Sequence, residues 1–120
     1  MSEIKFIKVE KVEEELLKEI VNRILTVVNP VKIILFGSYA YGQPRKESDL
    51  DILVIVDNLD LTRRELRIKI RQALREFLIP MDILVATLHD IEEWSTVPQA
   101  FITYITKKGR VIYERENGDR

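Results

Sequence analysis

Val31 to Ile55 reads VKIILFGSYAYGQPRKESDLDILVI, and its reading decides the fold. An unbroken β-prone run, Val31 to Phe36, stops at Gly37-Ser38, and a second, Leu50 to Val56, begins inside Asp49-Leu50-Asp51. Runs that are apolar at nearly every position, rather than at alternate ones, suit strands buried on both faces. Alternate strand residues share a side, so Asp49 and Asp51 are expected to project together, with Cα atoms about 6.6 Å apart. Two carboxylates so placed can grip a divalent cation. The segment between the runs, Gly42 to Ser48, is polar and carries Pro44 and several charges, and long loops in small domains tend to be functional.

On the N-terminal side, apolar residues recur at 12, 16, 17, 20, 21, 24, 25 and 28 with Glu and Lys opposite, the stripe of a core-packing helix ending at Asn29-Pro30. Ile4 to Val9 fits either a short edge strand or an unanchored arm. On the C-terminal side, Thr62 as N-cap with Glu65 three residues on, and Leu61 opposite Leu66, open a helix to about Leu78. Pro80 stops it. Met81 to Ala86 reads as a third strand with Asp82 near its start, and Asp90 as the cap of a short turn towards Trp94. Val97 to Lys107 reads as a helix closed by Gly109, and Arg110 to Glu114 as a last edge strand. The order predicts an α+β (α/β two-layer) architecture, with a mixed sheet of about four strands and helices packed on one face.

At 120 residues the chain is expected to form a single domain over 1–120. A composition 46% hydrophobic and 32% charged is that of a globular protein. Nineteen basic against 20 acidic residues leave a net charge of −1, too little for a general attraction to nucleic acid or membrane. The absence of Cys excludes disulfides and thiolate zinc sites, and a single His leaves little for histidine-based metal or triad chemistry. The charged N-terminus lacks the apolar core of a signal peptide, and no apolar run reaches the ~20 residues of a membrane span, so a cytoplasmic location is expected.

Carboxylates are therefore the ligands available. Asp49, Asp51 and Asp82 each interrupt an apolar strand, where an ionised group is costly unless solvated, paired or metal-bound, and neither strand segment contains Arg or Lys. Oxygen ligands select hard cations such as Mg²⁺, and three aspartates can hold two ions ~3.5–4 Å apart, the arrangement that clamps an in-line phosphoryl displacement. The Gly37-Ser38 turn offers backbone N–H groups and a hydroxyl to phosphate oxygens.

Gly37-Ser38, ten residues, Asp49-Leu50-Asp51 and a later strand acid at Asp82 together resemble the polymerase-β-like nucleotidyltransferase superfamily, in particular its minimal members. The resemblance implies that fold, with Asp49, Asp51 and Asp82 as catalytic metal ligands for Mg²⁺ (two ions) and Gly37 and Ser38 holding the phosphates of ATP. It further implies transfer of AMP from ATP to a hydroxyl; members of the minimal group commonly pair with a HEPN-domain toxin, and in some of them the acceptor is a tyrosine of that toxin, the acceptor expected here, with the chain an antitoxin acting by protein adenylylation. Many relatives carry Arg before the second glycine. Here the residue is Tyr41, so Arg45 or Lys46 is expected to supply the phosphate contact. Two rival readings remain: an antitoxin that neutralises its partner by binding alone, and nucleotidyl transfer to a small molecule or RNA. The second suffers from the absence of a helical second domain and of a basic field.

Other residues admit two readings each. Tyr39 and Tyr41 are half-packed aromatics or a stack for the base. Arg64, Arg67, Arg71 and Arg75, at helical spacing, are a solvated face or a docking surface for an acidic partner or RNA. His89 has no companion ligands. Trp94, Phe101, Tyr104 and Ile105 cover a sheet face or meet a partner, and a homo-oligomer is open.

Overall fold

Within residues 14–37, 50–97 and 100–116, which the computed structural model describes, helices and strands follow the expected order. They are α1 (Glu14–Leu25), β1 (Lys32–Phe36), β2 (Leu50–Val56), α2 (Arg63–Ala73), β3 (Met81–Thr87), α3 (Leu88–Trp94), α4 (Phe101–Lys108) and β4 (Arg110–Glu114). The alternatives for Ile4 to Val9 lie outside the described residues. Helix α2 ends five residues before the predicted Leu78, and the turns that follow carry Leu74 and Phe77 into the core.

The strands form one mixed sheet in the order β3-β2-β1-β4. β1 pairs antiparallel with both β2 and β4, with an irregularity between Ile33 and Ile34 on the β4 side, whereas β2 and β3 are parallel and joined through α2. Parallel neighbours need such a crossover, because a tight turn can only reverse the chain.

Helices cover both faces of the sheet, not the one face predicted. One face gathers Leu17, Ile20 and Ile24 of α1 and Leu66 and Ile70 of α2 over Ile33, Leu35, Ile52, Val54 and Ile83. The other gathers Ile105 of α4 over Ile34, Phe36, Leu53, Ile55 and Ala86, with Ile91 of α3 and Ile102 of α4 packed against it. The cause is in the strands. Every residue from Ile33 to Phe36 and from Ile52 to Val56 is buried, so both side-chain alternations of β1 and β2 need apolar cover.

Capping fixes where two helices begin. Thr62 accepts from the Glu65 N–H at 3.0 Å while the Glu65 carboxylate accepts from the Thr62 N–H at 3.1 Å, the predicted capping box. A second box opens α3, with Thr87 as N-cap and Asp90 as its third residue rather than the cap itself. Arg23 of α1 reaches the end of α2, at 2.8 Å from Glu76 and with its guanidinium 5.2 Å from the Phe77 ring centroid. Gly109 closes α4, donating to the Ile105 carbonyl at 2.7 Å. A side chain there would stand 2.6 Å from the same carbonyl oxygen.

Candidate active site

The register puts Phe36 opposite Asp51 and Asp51 opposite Asp82, one row across three strands. Residues directly opposite share a face, so both carboxylates leave the sheet on the side covered by α3 and α4. Adjacent strands lie about 4.8 Å apart, which makes Asp51 and Asp82 immediate neighbours. The row sits at the end of β1 and the beginnings of β2 and β3, where Phe36 belongs to the Ile105 cluster and the two acids do not.

Gly37 follows Phe36 with φ of +80°, a conformation that glycine adopts without strain. A Cβ built on it would fall on the Asp51 carboxylate, 3.1 Å from its Cγ. Glycine is thus required twice, for the turn out of β1 and for the close approach of the backbone to Asp51. Phe36, beneath the turn, is buried, and Phe101 of α4 meets it edge to face with centroids 5.8 Å apart.

The two acids differ in setting. Asp51 is half-buried, whereas the Asp82 side chain on the outer strand is 55% exposed. The argument from burial cost therefore applies to Asp51 and not to Asp82, whose charge water already solvates. Asp82 also has a cationic neighbour that inspection of the strands alone misses: Arg71 Nη2 of α2 lies 3.9 Å from its Oδ1. Only the folded topology shows it, in which the helix joining the two parallel strands packs beside the second of them.

Ser38, Arg45, Lys46 and Asp49, with Tyr39 and Tyr41, lie outside the described residues, so the structure brings together Gly37, Asp51 and Asp82 from the predicted set. Among the described residues no group of three or more His, Cys, Asp or Glu side chains converges as a metal site. Two adjacent carboxylates do fit a hard cation of the Mg²⁺ type, which takes one or two protein carboxylates and fills its shell with water and substrate phosphate. His89 is 81% exposed at its side chain and faces Glu93. Trp94, Phe101 and Tyr104 are each about half exposed, whereas Ile105 is fully buried, so the last four aromatic and apolar candidates split between surface and core.

The profile described as "Polymerase beta, Nucleotidyltransferase" matches residues 18–118. The chain belongs to the polymerase beta nucleotidyltransferase family. Two Methanocaldococcus jannaschii proteins, each carrying the name "Putative protein adenylyltransferase", are similar to it. One is 34% identical over 91 residues, 72% of this chain and 60% of its own length. The other is 30% identical over 105 residues, 84% of this chain and 98% of its own. The chain thus spans less than two thirds of the first relative and nearly all of the second. Among solved structures, a Sulfolobus solfataricus protein described as a "putative nucleotidyltransferase" superposes with a TM-score of 0.58 at 22% identity, over 87% of this chain and 82% of that one. A structure described as a toxin-antitoxin with AMP-PNP superposes at 0.53 and 24% identity, over 86% and 77%. Both share the nucleotidyltransferase fold with this family member.

No helix among the described residues is long and apolar enough to cross a membrane.

Proposed function

We propose that the chain transfers AMP from ATP to the hydroxyl of a tyrosine on a HEPN-domain toxin, and so acts as its antitoxin. The observation that carries this reading is the row Phe36-Asp51-Asp82 with Gly37 held against the Asp51 carboxylate. Support comes from the relatives named as protein adenylyltransferases and from the toxin-antitoxin neighbour with its ATP analogue.

In this reading Asp51 and Asp82, with Asp49 two residues before Asp51, hold Mg²⁺. When bound, Mg²⁺ neutralises phosphate charge and acidifies the attacking hydroxyl. Gly37 and Ser38 seat the triphosphate, with Arg45 or Lys46 as its basic contact. The acceptor oxygen forms a bond to the α-phosphorus as the bond from that phosphorus to the β-phosphate oxygen breaks. Pyrophosphate leaves, and the hydroxyl proton passes to solvent. Exposed Asp82 stays open to an acceptor arriving from outside.

Incubation with ATP labelled at the α-phosphate, Mg²⁺ and a HEPN-domain partner is expected to label that partner. Asp51→Asn and Asp82→Asn should each abolish the label, and labelling that survives both changes would refute the assignment. One observation favours the rival antitoxin that acts by binding alone: the Arg71 guanidinium beside Asp82 supplies a counter-charge without metal. Under that reading the same two variants would still protect cells from the toxin.

A further inference from the structure

Arg64, Arg67 and Arg71 of α2, with exposed Ile68, line an open groove of about 500 Å³ that runs along β3 past Leu84 and Ile83 to Asp82. Three cations face one carboxylate there. Arg75 continues the basic line into the adjoining hollow at Pro80 and Met81. Arg64, Arg67 and Arg75 make no ion pair among the described residues, although Arg23, Arg63, Arg110 and Arg115 all do. The basic line therefore stands out against a molecule whose net charge is −1.

The other wall of the groove is the outer edge of the sheet. β3 ends the strand order, and among the described residues no strand pairs with its free side. Such an edge offers a row of backbone donors and acceptors that an extended polypeptide can satisfy, while alternate side chains of the incoming segment reach the flanking residues. A nucleic acid has no use for that edge, and the overall charge gives it no long-range attraction. Ile68 and Leu84 add an apolar footing between the cations.

We propose that this groove docks an acidic, extended segment of a partner polypeptide, laid along β3 with its carboxylates on Arg64 and Arg67, and so leads an acceptor side chain to Asp82. The proposal rests on the protein-acceptor reading above and names the chemistry by which that acceptor is recognised.

The test uses the full chain and a fluorescein-labelled random copolymer of glutamate and tyrosine, read by fluorescence anisotropy without nucleotide. Binding is expected, and it should weaken as salt rises from about 0.05 to 0.3 M, as expected for exposed charges. The double variant Arg64→Glu with Arg67→Glu should raise the dissociation constant about tenfold or more. Lys107→Glu with Lys108→Glu makes the same change of net charge on exposed positions of α4, and should leave binding within about twofold. Equal losses in the two variants would reduce the effect to net charge and overturn the proposal, as would tighter binding of a single-stranded RNA of matching charge. Circular dichroism melts separate loss of docking from loss of fold: a groove variant that fails to bind but melts with the wild-type chain supports the assignment. Arg64→Gln with Arg67→Gln supplies the milder case, expected to lie between the two. Because the readout needs no transfer, docking with no adenylylation would sink the reading of the reaction and leave the groove standing. Transfer to the partner undiminished in the Arg64→Glu, Arg67→Glu variant would do the reverse.

Discussion

Gly37 and Asp51 act as one unit, because the space a side chain would take at residue 37 is already filled by the Asp51 carboxylate. Gly37→Ala meets two obstacles: a positive φ, which costs a residue with a Cβ about 1–2 kcal/mol, and a collision that pushes Asp51 from its place. The expected outcome is a lower melting temperature together with a loss of nucleotidyl transfer of about a hundredfold or more, since displacements near 1 Å in a reacting site have effects of that size. Wild-type transfer rates in this variant would show that Asp51 does not need its position. Asp82→Asn should behave differently. Its side chain is 55% exposed and its contact with Arg71, at 3.9 Å, is a surface ion pair, so stability should change by no more than about 0.5 kcal/mol while transfer is lost. A paired comparison of melting temperature and labelling separates the two residues. Gly37 and both acids were legible because glycine at a strand exit and aspartate inside an apolar strand break the local pattern. Arg71 was not, since its approach to Asp82 depends on how a helix folds back and not on any spacing along the chain.

Strand and helix identities followed from the sequence wherever a period or a cap was explicit. The Thr62–Glu65 box and the apolar runs of β1 and β2 appear where their chemistry places them, whereas α2 ends at Ala73, well before Pro80. Those same runs also contained the evidence for cover on two faces. The single-face expectation went wrong because the α4 pattern is short, with its aromatic residues Phe101 and Tyr104 exposed and only Ile105 and Thr103 buried. At α3 the cap was assigned one element too simply: Asp90 is the third helical residue of a box, not its cap, because Thr87 at the end of β3 takes that position. Asp90 carries a measurable consequence. Burial, the largest influence, pushes its carboxyl up, but the Thr87 N–H, the Arg63 guanidinium and the Thr87 hydroxyl together outweigh burial and hold it below the usual carboxylate range. Its interactions therefore stabilise the fold in full above the unfolded carboxyl value of about 3.9, and are lost as the pH falls through the lower folded value. Asp90→Ala should lower stability by about 1 kcal/mol at neutral pH, through loss of the capping-box bond from the Thr87 N–H and of the ion pair to Arg63. The difference from the wild-type chain should shrink in urea titrations carried below about pH 4. A difference that stayed constant into acid would mean that the charge of Asp90 contributes nothing.

Across the whole molecule, stability and chemistry occupy different places. Apolar clusters fill both faces of the sheet, and along β2 and β3 the fully buried Ile52, Leu53, Val54 and Ile83 of these clusters follow the acids in the chain. The acids stand at the strand ends beyond these clusters, so a bound cation is not needed to close either core. A chain built this way should melt cooperatively in a chelator, unlike small domains whose folding depends on a structural metal. Added Mg²⁺ should then stabilise it only by mass action. At ten times its dissociation constant the gain is about 1.4 kcal/mol, which at roughly 4 °C per kcal/mol for a domain of this size raises the melting temperature by roughly 5 °C. The rise should vanish in Asp51→Asn, whose own melting temperature in chelator should lie at or slightly above that of the wild-type chain, because one of two adjacent carboxylates has lost its charge. Thermal melts of both proteins in chelator and in a Mg²⁺ series decide the matter. An unfolded wild-type chain in chelator would make the cation part of the core. A rise retained in Asp51→Asn would move the cation away from the row that joins Phe36, Asp51 and Asp82.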